Sequence, residues 1–147
     1  KQIGLNIFIG GIFGVVCQPF IGALSDNFNK RIIIFILLFS HIFWLVLLNF
    51  SNSNAYLIIF ALMISGFAST SLYTVTLAYL GERINVTDIA FATSLFIIIY
   101  ELGEYFGPII VGFNMNIYGN SGFIYTLSSF IIICIVFGII RSFFQKK

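Results

Sequence analysis

Charged residues are scarce in this sequence of 147 residues, because Asp, Glu, Lys and Arg together make up only 8% of it. An average soluble domain carries about 25% charged residues, so the chain lacks the polar side chains that a water-facing surface needs. Disorder is excluded as well, since 60% of the residues are hydrophobic and disordered segments require low hydrophobicity. The apolar runs are continuous rather than alternating, which excludes a transmembrane barrel and predicts an all-α integral membrane protein.

Motifs for catalysis and metal binding are also missing from the sequence. Cys17 and Cys134 have neither a CxxC partner nor a nearby histidine, so we expect them to pack as small hydrophobes rather than to bind a metal. The HExxH, GxSxG and paired-aspartate signatures are absent, so we expect neither an intramembrane enzyme nor a cofactor. A net charge of +2 is too small to indicate a nucleic-acid partner.

Five apolar stretches are long enough to cross a membrane, which takes about 20 predominantly apolar residues. A helix satisfies its own backbone hydrogen bonds, as the hydrocarbon interior requires, so each stretch is predicted to be a transmembrane helix. The predicted spans are Gly4–Leu24, Ile32–Phe50, Ala55–Leu80, Phe91–Phe113 and Phe123–Ile140.

The connectors between these spans alternate between charged and uncharged. Placing the charged connectors in the cytoplasm puts every Lys and Arg except Lys1 inside, which is the positive-inside distribution. The predicted topology therefore has its N-terminus outside and, after five crossings, its C-terminus in the cytoplasm. Because Lys1 is not a start methionine and the first span follows at once, we expect a fragment that lacks at least one upstream span. The alternative is a complete five-span protein.

The first charged connector carries a recognisable pattern, in which Gly22 and Asp26 are followed by Lys30 and Arg31. It resembles the G-x-x-x-D-x-x-G-[RK]-[RK] loop of the major facilitator superfamily. Asn29 stands where that pattern has its second glycine, and Asn is the residue type that best replaces glycine in a left-handed turn. Glycine at the end of a helix permits close approach to a neighbour, and Asp26 is expected to accept from backbone N–H groups or to pair with a cation.

The fourth span carries a second pattern, in which Glu101 and Leu102 lead into the residues Gly103, Gly107, Pro108 and Gly112. It is similar to the fifth- or eleventh-helix pattern of the same superfamily, except that Val111 replaces one glycine. Small residues spaced four apart favour close helix contact, and a proline permits a bend. Two such motifs in the right order, separated by the right number of spans, make the resemblance specific.

The resemblance covers nearly the whole chain, either as spans two to six or as spans eight to twelve of a twelve-span protein. The relaxed loop motif and the short charged tail Arg141–Lys147 favour spans eight to twelve, which form most of one six-helix bundle. The resemblance implies a secondary transporter of a small solute that works by alternating access, is coupled to protons, and resides in the inner membrane of a bacterium. The missing N-terminal half of the same protein is then its main partner.

Two carboxyl groups lie inside the fourth span, where a charged group is costly and usually functional. Glu101 and Glu104 are three residues apart and therefore neighbours on the helix, and Tyr100 and Tyr105 lie on the same side. We interpret this stripe as a site for a coupling proton or a cationic substrate. The alternative is a hydrogen bond between helices that fixes their packing.

Further polar residues interrupt the first three spans. His41 lies midway along the second span, where it either relays protons or is packed and hydrogen-bonded. Gln18 precedes Pro19 in the first span and needs a partner for its amide, most simply on a neighbouring helix. The third span is unusually rich in hydroxyl groups between Ser65 and Thr76, and some of these should bond across helix interfaces. A different class of function also fits the polar stripe of the fourth span, namely a non-transporting scaffold or assembly subunit.

Overall fold

The computed structural model describes residues 2–51 and 54–144, which form five α-helices joined by short connectors. Lys1, the loop residues 52 and 53, and Lys146 and Lys147 of the charged tail lie outside the described residues. All five helices are long and apolar enough to cross a membrane, so the predicted all-α membrane fold is confirmed. The helices are α1 (Gln2–Asn27), α2 (Lys30–Phe50), α3 (Ala55–Arg83), α4 (Ile89–Tyr118) and α5 (Ser121–Phe144).

Two asparagines fix where α2 and α3 begin. The Asn29 side chain accepts a hydrogen bond from the backbone N–H of Arg31, and the Asn54 side chain does the same for Tyr56. Both satisfy an N–H group that the first turn of a helix leaves without a partner. Asn29 has φ of −63° and ψ of 111°, so the connector is extended at this residue. The tolerance of Asn for left-handed backbone is therefore not what makes the connector possible.

The chain divides into two compact units, Lys1–Ile98 (unit 1) and Ile99–Lys147 (unit 2). In unit 1, α3 packs along both α1 and α2, whereas α1 and α2 touch each other only slightly. Pairs of neighbouring residues show that α1 runs parallel to α3, because Gly10 lies at Leu62 and Gly14 at Gly66. Helix α2 runs antiparallel to both and connects them in sequence. Because α3 packs on both other helices, it is the central one of the three.

Glycines bring α1 and α3 into backbone contact. A methyl group added at Gly14 would lie 2.5 Å from the carbonyl oxygen of Gly66, and one added at Gly10 would lie 2.7 Å from that of Leu62. Small residues at helix interfaces allow van der Waals contact between backbones, which drives packing where lipid is as apolar as the side chains. Gly10 and Gly14 therefore serve the packing of α1 on α3. At Gly22 the expected close approach is wrong among the described residues, because an added methyl group would meet no atom within 4 Å.

A small apolar core joins the helices of unit 1 at the end where α1 stops and α2 starts. Its members are drawn from all three helices, and partly buried neighbours pack against them. Many large apolar side chains point outward instead, as expected for helices that meet lipid. The buried core residues are Ile21, Ile33, Leu37 and Val75.

In unit 2, the C-terminal part of α4 is followed by α5, and the turn between them contains Gly119, which has φ of 63°. The Asn114 amide donates to the Thr126 hydroxyl at 2.9 Å, and that hydroxyl donates to the Gly122 carbonyl at 2.7 Å. Gly122 lies against the backbone of Asn114, where a side chain has no room. The two helices are therefore joined by polar and backbone contacts next to their turn.

Candidate functional site

His41 forms a hydrogen-bonded link between α2 and α3. Its Nδ1 lies 2.9 Å from the Leu37 carbonyl oxygen, and its Nε2 lies 3.2 Å from the Ser69 hydroxyl. A carbonyl oxygen only accepts, so Nδ1 must carry the proton, and neutral Nε2 then accepts from Ser69. His41 lies at the midpoint of α2 and Ser69 at the midpoint of α3. The structure thus places an ionisable group halfway along two helices, held by a partner from each.

Further polar side chains of α1 and α3 lie at the same level as this link. We name the whole group the mid-span site; it consists of Gln18, His41, Ser69, Thr70 and Ser71. The Thr70 hydroxyl donates to the Gly66 carbonyl at 2.9 Å. Ser71 is fully buried, and among the described residues its hydroxyl has no hydrogen-bond partner. The half-buried Gln18 lies one turn beyond Gly14, so the parallel register of α1 and α3 places it level with Thr70. The expectation that hydroxyl groups of the third span bond across an interface is confirmed at Ser69.

At the end of the bundle where α2 begins, Lys30 joins α1, α2 and α3. Its ammonium group donates to the Ser25 carbonyl at 2.9 Å and to the Glu82 carboxylate at 2.7 Å. The Lys30 side chain is 8% exposed and that of Glu82 is 58% exposed, so the charge of Lys30 is largely withdrawn from solvent. The carbonyl of Ser25 belongs to the last turn of α1, where the helix dipole favours a cation.

Beside this ion pair, two arginines lie against one aromatic ring. The Arg31 Nε–H donates to the Tyr79 hydroxyl at 2.7 Å, and its guanidinium carbon is 5.7 Å from the centre of the Tyr79 ring. The guanidinium carbon of Arg83 is 5.3 Å from the same centre. Both distances fall within the range of cation–π attraction. We call Arg31, Tyr79 and Arg83 the arginine–tyrosine cluster.

Sequence reasoning missed most of this charged end. The charge of the third connector gives no sign that Glu82 holds Lys30. Asn29 rather than Asp26 caps α2. Asp26 itself is exposed. One signal was available, because Tyr79 and Arg83 are four residues apart and so neighbours on a helix. No local pattern indicates that residues about 50 positions apart meet.

The polar stripe of the fourth span lies on α4 in unit 2, at a distance along the chain from the mid-span site. Glu101, Glu104, Tyr100 and Tyr105 are all exposed, and the described part of α4 has no buried residue at all. Glu101 and Glu104 belong to unit 2, whereas His41 belongs to unit 1. Their role in binding a proton or a substrate stays a prediction.

The helix-packing residues of α4 stand in open surroundings too. A methyl group added at Gly103, Gly107 or Gly112 would meet no atom within 4 Å in the described residues. Pro108 lies inside α4 without ending it, as membrane helices tolerate. Close contact of this glycine face with another helix therefore remains a prediction. Across the residues that the structure describes, no group of three His, Cys, Asp or Glu side chains lies close enough to hold a metal ion.

Five helices long and apolar enough to cross a membrane, two of them linked near their midpoints by an ionisable side chain, define a helical membrane protein. Within that class the family can be named, because the model of the Major Facilitator Superfamily matches residues 1–146. The chain belongs to this superfamily of membrane transporters. No curated protein and no solved structure matches the chain.

Proposed function

We propose that this chain provides spans eight to twelve of a secondary transporter that moves a small solute by alternating access, driven by protons. The observation that carries the proposal is the His41–Ser69 hydrogen bond between α2 and α3. In transporters built from repeated bundles, substrate and coupling-ion sites lie near the bilayer midplane. An ionisable group is expensive at that depth and is usually functional. The N-terminal half of the same protein is proposed to complete the cavity.

Protonation of His41 changes the bond that links α2 to α3. The neutral ring accepts from Ser69, whereas the protonated ring donates from both nitrogens, so the Ser69 hydroxyl must rotate to accept. Proton binding at His41 therefore alters a contact between two helices rather than a single side chain. This is the type of local change that can bias a bundle between two arrangements.

Glu101 and Glu104 are the second group that we propose to take part in coupling. They are neighbours on α4, and neither carboxyl group is buried by the residues that the structure describes. Tyr100 and Tyr105 on the same side supply hydroxyl groups that can donate to a carboxylate. Gln18 adds an amide at the level of His41 and is proposed to contact the solute.

The test is solute flux in proteoliposomes that contain the intact protein, measured with and without an imposed pH gradient. His41→Gln, Glu101→Gln and Glu104→Gln are each expected to weaken the stimulation of flux by the gradient. Asp88→Asn is the matched control, since it removes an exposed carboxyl from the connector before α4. If flux and its pH dependence are unchanged in all three variants, the coupling role is refuted.

A second candidate function is a scaffold or assembly subunit, and the exposure of α4 favours it. A helix that buries none of its described residues and presents two carboxyl groups offers a surface for partner helices. The same proteoliposomes separate the two functions. Flux of any solute supports the transporter, whereas no flux across a broad panel of solutes favours the scaffold.

A further inference from the structure

The arginine–tyrosine cluster lies beside the Lys30–Glu82 ion pair, so α2 and α3 are linked by two polar contacts at this end. Glu82 and Arg83 are consecutive, so they point in different directions around α3. Glu82 turns toward Lys30, and Arg83 turns back over Tyr79, one turn earlier. At the end of α3, the Glu82 carboxylate therefore faces Lys30, while the guanidinium groups of Arg31 and Arg83 lie at the Tyr79 ring.

Three donor groups meet at Tyr79. Its oxygen accepts from Arg31, and in the described part of the chain no acceptor takes its own proton. The exposed Arg83 side chain has no ion-pair partner among the described residues. The Arg83 guanidinium and the Tyr79 hydroxyl, with the charge of Arg31 at the same ring, supply donors for the oxygens of a phosphate group, which arginine binds with two parallel hydrogen bonds.

The depth of the cluster points to the source of that phosphate. Helix α3 has 29 residues and is about 43 Å long at 1.5 Å per residue, whereas the hydrocarbon core is about 30 Å thick and the whole bilayer about 40–45 Å. The end of α3 therefore reaches through the headgroup layer. Tyr79 lies about 6 Å before Arg83 along the axis, at the boundary where tyrosine rings are enriched.

We propose that the arginine–tyrosine cluster binds the phosphate of an anionic phospholipid in the leaflet that meets the charged connectors. Basic pockets between helices at such a surface recognise lipid headgroups, and each cation near an anionic leaflet contributes about 1 kcal/mol. The phosphate accepts from the Arg83 guanidinium and from the Tyr79 hydroxyl, and the positive charge of the neighbouring Arg31 adds to the attraction. The acyl chains then run along the apolar outer surface of α2 and α3, where Ile32 and Ile36 are exposed.

The experiment titrates the intact protein, in detergent and in phosphatidylcholine nanodiscs, with phosphatidylglycerol, and measures bound lipid by native mass spectrometry. Phosphatidylglycerol is expected to bind more tightly than phosphatidylcholine. Arg83→Gln is expected to weaken that binding about fivefold, the loss of one surface cation, and Arg83→Lys to retain most of it. Tyr79→Phe keeps the ring but removes the donor, so a smaller loss is expected.

The matched control is Arg141→Gln, which removes a cation from the last turn of α5 and is expected to leave phosphatidylglycerol binding unchanged. Equal weakening by this control means diffuse attraction to basic residues and overturns the proposal. Equal binding of the two lipids overturns it too. A third arm adds inorganic phosphate alone to the protein in phosphatidylcholine nanodiscs. Saturable binding of inorganic phosphate, lost in Arg83→Gln, assigns the cluster to a free anion and overturns the lipid assignment.

Discussion

At the scale of single residues, the charged end of unit 1 depends on one ammonium group that serves three helices. Lys30 starts α2, donates to the Ser25 carbonyl at the end of α1, and pairs with Glu82 near the end of α3. An ammonium group that is largely buried is stabilised only while its partners are present, and removing one partner leaves a desolvated charge. The contribution of Glu82 is therefore best measured by deleting its charge and keeping its shape.

Glu82→Gln is expected to lower the free energy of unfolding by about 1–2 kcal/mol. The value is well below that for a fully buried pair because Glu82 is 58% exposed and solvent screens its charge. The measurement is unfolding by sodium dodecyl sulfate in mixed micelles. Asp88→Asn, an exposed carboxyl in the next connector, should change the free energy by less than half of that amount, and equal effects contradict the assignment.

Ser69→Ala isolates the link between His41 and α3. The variant leaves Nε2 of His41 without its donor, so we expect the free energy of unfolding to fall by about 0.5–1.5 kcal/mol and the pH dependence of solute flux to change. Ser94→Ala is the control, because the Ser94 hydroxyl bonds only to the Ala90 carbonyl of its own helix in the described residues. A pH profile unchanged by Ser69→Ala shows that the link is structural only.

At the scale of helices, unit 1 is organised by two different kinds of interface on α3. Toward α1 the contact is between backbones at Gly10, Gly14 and Gly66. Toward α2, polar pairs at two levels, Lys30–Glu82 and His41–Ser69, add to the apolar core. The first interface permits no added volume, whereas the second depends on donors and acceptors that a proton can rearrange.

Adjacent glycines on α1 test the first interface. A methyl group at Gly10 meets the backbone of Leu62, while one at Gly11 meets nothing within 4 Å. Gly10→Ala is expected to lower the free energy of unfolding by about 1–3 kcal/mol through overpacking. Gly11→Ala should be neutral or slightly stabilising, because alanine favours helix more than glycine does. Equal effects of the two variants in the same micelle assay contradict the packing of α1 on α3.

The hydrogen bond between Asn114 of α4 and Thr126 of α5 can be tested separately. Thr126 is buried and accepts from Asn114 across the turn, so Thr126→Val leaves that amide without its partner and should lower the free energy of unfolding by about 1 kcal/mol. Ser129→Ala removes a hydroxyl bonded only within α5 in the described residues and should have a smaller effect. The opposite order of the two losses refutes a structural role for the Asn114–Thr126 bond.

The sequence predicts the five helices because each is a local signal, an apolar run bounded by polar residues such as Asn29 and Asn54. Helix pairing is not local. Gly10 and Gly14 indicate that α1 has a close neighbour, but nothing in their spacing names α3 rather than α2. The same limit applies to the mid-span site, since His41 is conspicuous alone and Ser69 is one hydroxyl among many in its span. Only the antiparallel register of α2 and α3 determines that Ser69, rather than another hydroxyl, lies beside His41.

At the scale of the whole molecule, the distribution of charge predicts how the chain lies in the membrane. Lys30 and Arg31 lie in the first turn of α2, Arg83 lies in the last turn of α3, and Arg141 lies in the last turn of α5. Cations are retained on the cytoplasmic side of inner membranes. The first and third connectors and the end of α5 are therefore expected to face the cytoplasm, and the other two connectors to face outward.

Cysteine labelling measures this orientation. In a background where Cys17 and Cys134 are replaced by alanine, Asn120→Cys is expected to react with an impermeant maleimide in intact cells. Asn85→Cys, in the charged connector, is expected to react only after the membrane is made permeable. Both positions lie in exposed turns, so access to the reagent does not differ for structural reasons. The reverse pattern overturns the predicted topology.

The pairing of α1 with α3 also sets an order of assembly in time. Gly66 follows Gly10 by about 56 residues, which at 5–20 residues per second takes a ribosome about 3–11 s to add. During that interval the glycine surface of α1 has no α3 to meet, and α2 cannot cover it because the two barely touch. The backbone contact of α1 with α3 is therefore expected to form only after α3 has been made, and not as soon as α1 and α2 are both present.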